Sequence, residues 1–181
     1  MHYSFHILSR LAVLFSILFV CCTAEAAKRG EYGPQENIYY SEWAELKHKA
    51  ELGDPDALFT LGNYYYQPPR GSNFRKNIKK AAEFYFKSAI RGNPAAQYNF
   101  GYLLHKGLGV TQNTVESYAW FKLASNNQSP VSKHINNVSK KAVVMIENQM
   151  DALTLEKANK RMDFLADVIA KERYRKVKFP G

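Results

Sequence analysis

The sequence predicts an all-α chain, a solenoid of stacked antiparallel helix hairpins with a closing helix pair at its C-terminal end. Three observations predict it. First, the stretch from Asp54 repeats itself: Gly53 and Gly92, Ala57 and Ala96, and Gly62 and Gly101 are each 39 residues apart. Second, a further set of matches runs at an offset of 36: Asn77 and Asn113, Ala81 and Ser117, Phe84 and Trp120. A fixed period of this length is the mark of a helical repeat. The three-residue difference falls in the loop inside each hairpin, where insertions are tolerated. Third, the punctuation is helical: Gly-Asp-Pro at Gly53 and Gly-Asn-Pro at Gly92 each stop one helix and start the next.

The elements follow in order. Arg10 precedes a largely apolar run, Leu11 to Cys22, and Ala24-Glu25-Ala26 follows. The run is short for a membrane span, and the order of parts is that of a secretory signal peptide over 1–26, with a mature chain starting at Ala27. An uncleaved N-terminal anchor and a lipid-modified cysteine are the competing readings. Both cysteines lie in this segment, so a mature chain would have neither disulfides nor thiolate chemistry. Residues 27–40 mix Gly, Pro and charge without helical period and read as a flexible lead-in. Ser41 to Leu52 is a predicted helix, a half repeat over 41–53, with Trp43, Leu46 and Ala50 on one stripe.

Repeat 1, 54–92, carries helices Pro55 to Tyr66 and Ile78 to Arg91 around the loop Gln67 to Lys76. Repeat 2, 93–128, carries Pro94 to Lys106 and Thr114 to Ser125 around the turn Gly107-Leu108-Gly109-Val110. Small residues at Gly62, Ala81, Gly101 and Ser117 allow close helix approach, and Leu61, Phe84, Phe100, Leu104 and Trp120 fill the space beside them. Over 129–173 two closing helices are predicted, Val131 to Gln149 and Ala152 to about Arg173, expected to pair with each other. A basic tail, 174–181, is expected to fray.

These residues resemble the Sel-one-like repeat (SLR) family, relatives of the tetratricopeptide repeats. The second unit matches the family pattern at Ala96, Phe100, Gly101, Leu104, Gly107, Gly109, Val110, Asn113, Ser117, Trp120 and Ala124. The first matches at Ala57, Leu61, Gly62, Tyr65, Asn77, Ala81, Phe84, Ser88, Ala89 and Gly92, and departs at the glycine turn, where it reads PPRGSNF. The resemblance implies a right-handed stack of helix pairs used as a protein-binding scaffold, in the manner of exported bacterial members that serve envelope processes or host contact.

No catalytic or cofactor constellation stands out. His48, His105 and His134 fall on different helices without ligand spacing for a metal, and no nucleophile or phosphate-loop motif is present. Gly107 and Gly109 are explained by the repeat. The formal net charge of +9 has basic clusters at Arg75, Lys76, Lys79 and Lys80, at Lys140 and Lys141, and in the tail. They read as a solvated face or as a surface attracted to an anionic envelope; nucleic acid and small-molecule substrates are not expected. The expected function is a non-enzymatic interaction module, periplasmic or secreted, that binds a protein or peptide. The alternatives are a regulator or inhibitor of a cell-wall enzyme and a host-interaction factor. Candidate partner-binding residues are first-helix positions that the repeat does not spend on packing: Thr60, Asn63, Tyr64, Tyr66, Asn99, Tyr102, Leu103 and Lys106. The competing reading is that some of these cover neighbouring helices.

Overall fold

A computed structural model describes residues 42–70, 72, 74–127 and 132–178. The expected signal segment, the lead-in, the Ser41 cap and the last three residues lie outside the described residues. The chain divides into two compact units, residues 1–45 and 46–181. In the first, only residues 42–45 are described, and they are helical.

Among the described residues there are seven helices and no strand, and the chain is an all-α solenoid of helical repeats. The first, α1, spans 42–51. Then come α2 (Pro55–Tyr66), α3 (Ile78–Ala89), α4 (Pro94–Lys106), α5 (Thr114–Ser125), α6 (Lys133–Glu147) and α7 (Ala152–Lys178). Both predicted hairpins, α2 with α3 and α4 with α5, form at the places the repeat marks.

The helix starts are set by side chains. Asp54, Asn77, Asn93 and Asn113 each accept a hydrogen bond from the amide three residues on, at 2.8–3.0 Å. Each such cap contributes about 1 kcal/mol. The joint between hairpins is equally local. At Gly92, with φ of 86°, the chain reverses as a Schellman turn, Asn93 N–H donating to Ser88 O at 3.3 Å. The left-handed conformation suits glycine alone without strain. Asn93, the residue that closes one helix, caps the next. The same joint stands at Gly53-Asp54, where Asp54 N–H donates to Lys49 O at 2.9 Å.

Packing follows the small positions. A Cβ on Gly62 would lie 2.5 Å from the Tyr85 ring, and one on Gly101 would lie 3.2 Å from the Phe121 ring. The pairs are repeat equivalents, 39 apart on the first helix and 36 on the second. In each hairpin an aromatic ring from the second helix lies over a bare glycine of the first. Two buried hydroxyls add hydrogen bonds, Ser88 Oγ to Pro55 O at 2.6 Å and Ser117 Oγ to Gly101 O at 2.8 Å.

The closing helices depart from expectation. They do not form a third hairpin; each packs on α5, from a different side. Near the turn between them, Val143 and Ile146 of α6 join Ala158 of α7 around Tyr118 and Phe121. From there α7 runs back over Trp120, bringing Leu165 and Ile169 to Ala89 and Ala96. Polar ties follow both helices: Arg161 of α7 pairs with Glu116, and Lys122 with Glu147 of α6 at 3.4 Å. The physical reason is the wide apolar face of α5, which buries Tyr118, Ala119, Trp120, Phe121 and Ala124 and so needs cover on two sides. Helix α7 also runs to Lys178, past the expected end at Arg173. The stretch Lys171 to Lys178 holds no glycine or proline to stop it.

Tyr118 ties the three helices. Its hydroxyl donates to Glu147 Oε1 at 2.8 Å and lies 3.2 Å from Asn159 Oδ1. Burial and the Glu147 carboxylate both push its pKa upward, so it stays a neutral donor. Tyr118→Phe is expected to lower stability by about 1–2 kcal/mol, measured by urea unfolding, because Glu147 loses the nearer of its two donors.

Candidate functional site

Helices α2 and α4 lie on either side of α3, and their exposed faces form a groove. On α2, Asn63 and Tyr66 are three residues apart and share a face. On α4, Tyr102 lies three residues from Asn99 and four from Tyr98, and all three line the groove. Between them α3 contributes Tyr85. Because Gly62 has no side chain, the Tyr85 ring crosses over α2 with only 1% of its surface exposed, and its hydroxyl emerges at the groove floor. There it donates to Asn63 Oδ1 at 2.8 Å, and Asn99 lines the groove beside it. Burial pushes the phenol up to about 12, so it does not ionise near neutral pH.

Two adjoining cavities make up the groove. One, of about 390 Å³, is lined by Asn63, Tyr66, Gln67, Pro68, Pro69, Arg70, Tyr85 and Asn99. The other, of about 230 Å³, is lined by Tyr66, Tyr85, Tyr98, Asn99, Tyr102 and Leu103. Tyr66, Tyr85 and Asn99 belong to both. Arg70 is the charged residue of the lining, and Lys76 stands over the Tyr66 ring at 5.9 Å. No carboxylate lines either cavity. The surface is therefore aromatic walls, amides that can donate and accept, and a cationic edge.

Of the residues singled out by sequence, the groove gathers Asn63, Tyr66, Asn99 and Tyr102. It does not gather Thr60, whose hydroxyl donates to Asp56 O at 2.9 Å within its own helix. Tyr64 turns away and packs on Phe74 of the loop, ring centroids 5.3 Å apart. Lys106 is exposed at the end of α4, outside both cavities. Leu103 is corrected from candidate partner-binding position to floor: it is 1% exposed and packs with Ala81, Ala82 and Tyr85. Tyr85 and Tyr98 were missed. The signal for Tyr85 was present: 36 residues on, the equivalent position is Phe121, so the first repeat adds a hydroxyl that packing does not require.

Beyond Lys76, two more lysines of repeat 1 stand over aromatic rings. Lys80 stands 5.1 Å from the Tyr65 ring centroid and Lys87 5.7 Å from that of Phe84. Among the described residues, no group of three or more His, Cys, Asp and Glu side chains is placed to hold a metal ion. None of the described helices is long and apolar enough to cross a membrane.

The Sel1 repeat family model matches residues 55–93 and 94–129. Chitin synthase regulatory factor 3 of Schizosaccharomyces pombe is 30% identical over 106 residues, 55% of this chain and 11% of that protein. The ERAD-associated E3 ubiquitin-protein ligase component HRD3B of Arabidopsis thaliana is 34% identical over 92 residues, 50% of this chain and 14% of that protein. The chain thus spans a small part of the length of these curated relatives. Among solved structures, c5321, a protective antigen of uropathogenic Escherichia coli strains with an SLR fold, superposes with a TM-score of 0.54 at 26% identity. The match covers 74% of this chain and 27% of that one.

Proposed function

We propose that this chain, a Sel1-repeat protein, is an exported, non-catalytic scaffold that binds an extended segment of a partner protein in the groove between α2 and α4. Sel1-repeat proteins act as protein-interaction scaffolds and are typically non-catalytic. The observation that carries the site is the Asn63–Tyr85–Asn99 arrangement between the Tyr66 and Tyr102 walls. Two amides spaced along a groove can bond a peptide's carbonyls and N–H groups. Flanking tyrosines supply contact area with little rotamer entropy to lose. Arg70 and Lys76 favour a segment with acidic side chains.

Alanine variants test this. Tyr66→Ala and Tyr102→Ala are each expected to weaken partner capture from an envelope extract by about 2 kcal/mol, near thirtyfold. Lys106→Ala, on the same helix but outside the groove, is expected to leave it unchanged. Equal capture by all three variants would place the site elsewhere.

Export rests on the order Arg10, Leu11 to Cys22, Ala24-Glu25-Ala26. Mass spectrometry of the protein from cells is expected to find a mature N-terminus at Ala27; an intact Met1 would contradict cleavage. A second reading, regulation of a cell-wall enzyme, is favoured by one relative, whose name is that of a chitin synthase regulatory factor. The same capture experiment separates the readings by what it recovers. An anionic envelope surface would meet the Lys79, Lys80 and Lys87 side rather than the groove.

A further inference from the structure

The splayed closing helices leave a second cavity, away from the groove. α6 and α7 converge beside Tyr118 and diverge from there, so the start of α6 and the later turns of α7 stand apart. The space between Ile135 of α6 and Ile169 of α7 is floored by the first turn of α4 and the end of α5. Its volume is about 830 Å³, within the range of small-ligand sites.

Its lining asks for a ligand of mixed character. Arg91 and Arg173 both line it. Each spends one N–H within the protein, Arg91 Nη1 donating to Lys87 O at 2.8 Å and Arg173 Nη2 to Gly92 O at 3.2 Å. A guanidinium has five donors, so both retain capacity. The start of α4, a helix of 13 residues, adds the positive end of its dipole. Opposing them, the carboxylate of Asp56 is engaged by Asn93 Nδ2 at 2.7 Å.

An independent observation points to what lies beside the anion. Gln97 lines the same cavity with only 3% of its surface exposed. Its Nε2 donates to Ala89 O at 3.2 Å, while its buried Oε1 has no hydrogen-bond partner. Buried carbonyls are rarely left unpaired. Sealed as it is, Oε1 reaches a ligand once the Gln97 amide turns toward the cavity; a ligand that fits then offers an N–H donor close to a negative charge, and an apolar group for Leu123, Ile135 and Ile169.

We infer that this cavity binds the C-terminal end of a peptide with an apolar last residue. The carboxylate lies against Arg91, Arg173 and the start of α4. The last amide N–H donates to Gln97 Oε1. The terminal side chain enters between Ile135 and Ile169. The site is separate from the α2–α4 groove and does not depend on it.

The test is an NMR titration of the full chain with N-acetyl-Ala-Ala-Leu and with its C-terminal carboxamide. The free acid is expected to shift the amide signals of Ala95 and Ile169 and to bind about tenfold more tightly than the carboxamide, the loss expected for one charged hydrogen bond. Arg91→Gln, which leaves the cap at Gly92 untouched, is expected to weaken the acid by at least about fivefold, as is Gln97→Leu. Equal binding of acid and carboxamide, shifts centred on Tyr102, or no shift at Ala95 and Ile169 would each overturn the assignment.

Discussion

Trp120→Ala is expected to lower folding stability by about 3–5 kcal/mol, seen as a fall in the urea midpoint with little change in slope. The size follows from where the indole sits. Trp120 is 1% exposed and meets Phe100 edge-on at 5.6 Å and Phe86 at 6.2 Å. Its cluster joins Ala89 of α3, Ala96 and Leu104 of α4 and Leu165 and Ile169 of α7. Truncation therefore opens a void where both repeats and the closing helix converge, and no single helix can shift to fill it. Trp120→Phe keeps part of the ring contact and is expected to lose about 1–2 kcal/mol. Limited proteolysis should show α7 becoming susceptible first in the alanine variant. A loss below about 1 kcal/mol would mean that the indole is not at this junction.

Gly62→Ala and Gly101→Ala form the second pair, and here the contrast is the result. In a helix interior alanine is favoured over glycine by about 1 kcal/mol. At Gly101 the added Cβ would lie 3.2 Å from the Phe121 ring, a tight contact that a small ring movement relieves. The net change there is expected to fall within about 1 kcal/mol of zero. At Gly62 the Cβ would lie 2.5 Å from Cδ1 of Tyr85. That ring is held at its far end by the bond to Asn63, so it cannot slide without breaking it. Gly62→Ala is expected to destabilise by about 2–3 kcal/mol. Urea unfolding of both variants checks it; equal effects at the two sites would show that Tyr85 is not locked. Because the hydroxyl is displaced with the ring, Gly62→Ala should also disturb the groove.

Much of the fold was legible in the sequence because its decisive interactions are local. Asp54, Asn77, Asn93 and Asn113 bond amides three residues away, and the glycine joints close within one turn. Such features need no knowledge of distant contacts. The placement of α6 and α7 was not legible. Their stripes identify helices, but which face of α5 each covers is decided by the shape of Tyr118, Trp120 and Phe121 once assembled. The same divide runs through the candidate site. Asn63, Tyr66, Asn99 and Tyr102 follow from helical register and the repeat offset. Tyr64 was lost because its partner, Phe74, lies in the one loop that departs from the repeat. Leu103 was misplaced because its side of α4 faces α3, and the offset alone does not say which face that is. Tyr85 was hidden because an aromatic at a packing position reads as core, and only comparison with Phe121 exposes the extra hydroxyl.

Cross-linking in cells reports which face of the protein meets a partner. A photoreactive side chain is introduced in turn at Tyr66, at Tyr102, at Lys106 and at Phe164, which is 56% exposed on α7 away from the groove. A protein adduct is expected from positions 66 and 102 and none from 106 or 164, with the cross-linked peptide extended and acidic. Adducts from 106 or 164 with none from 66 and 102 would contradict binding in the groove.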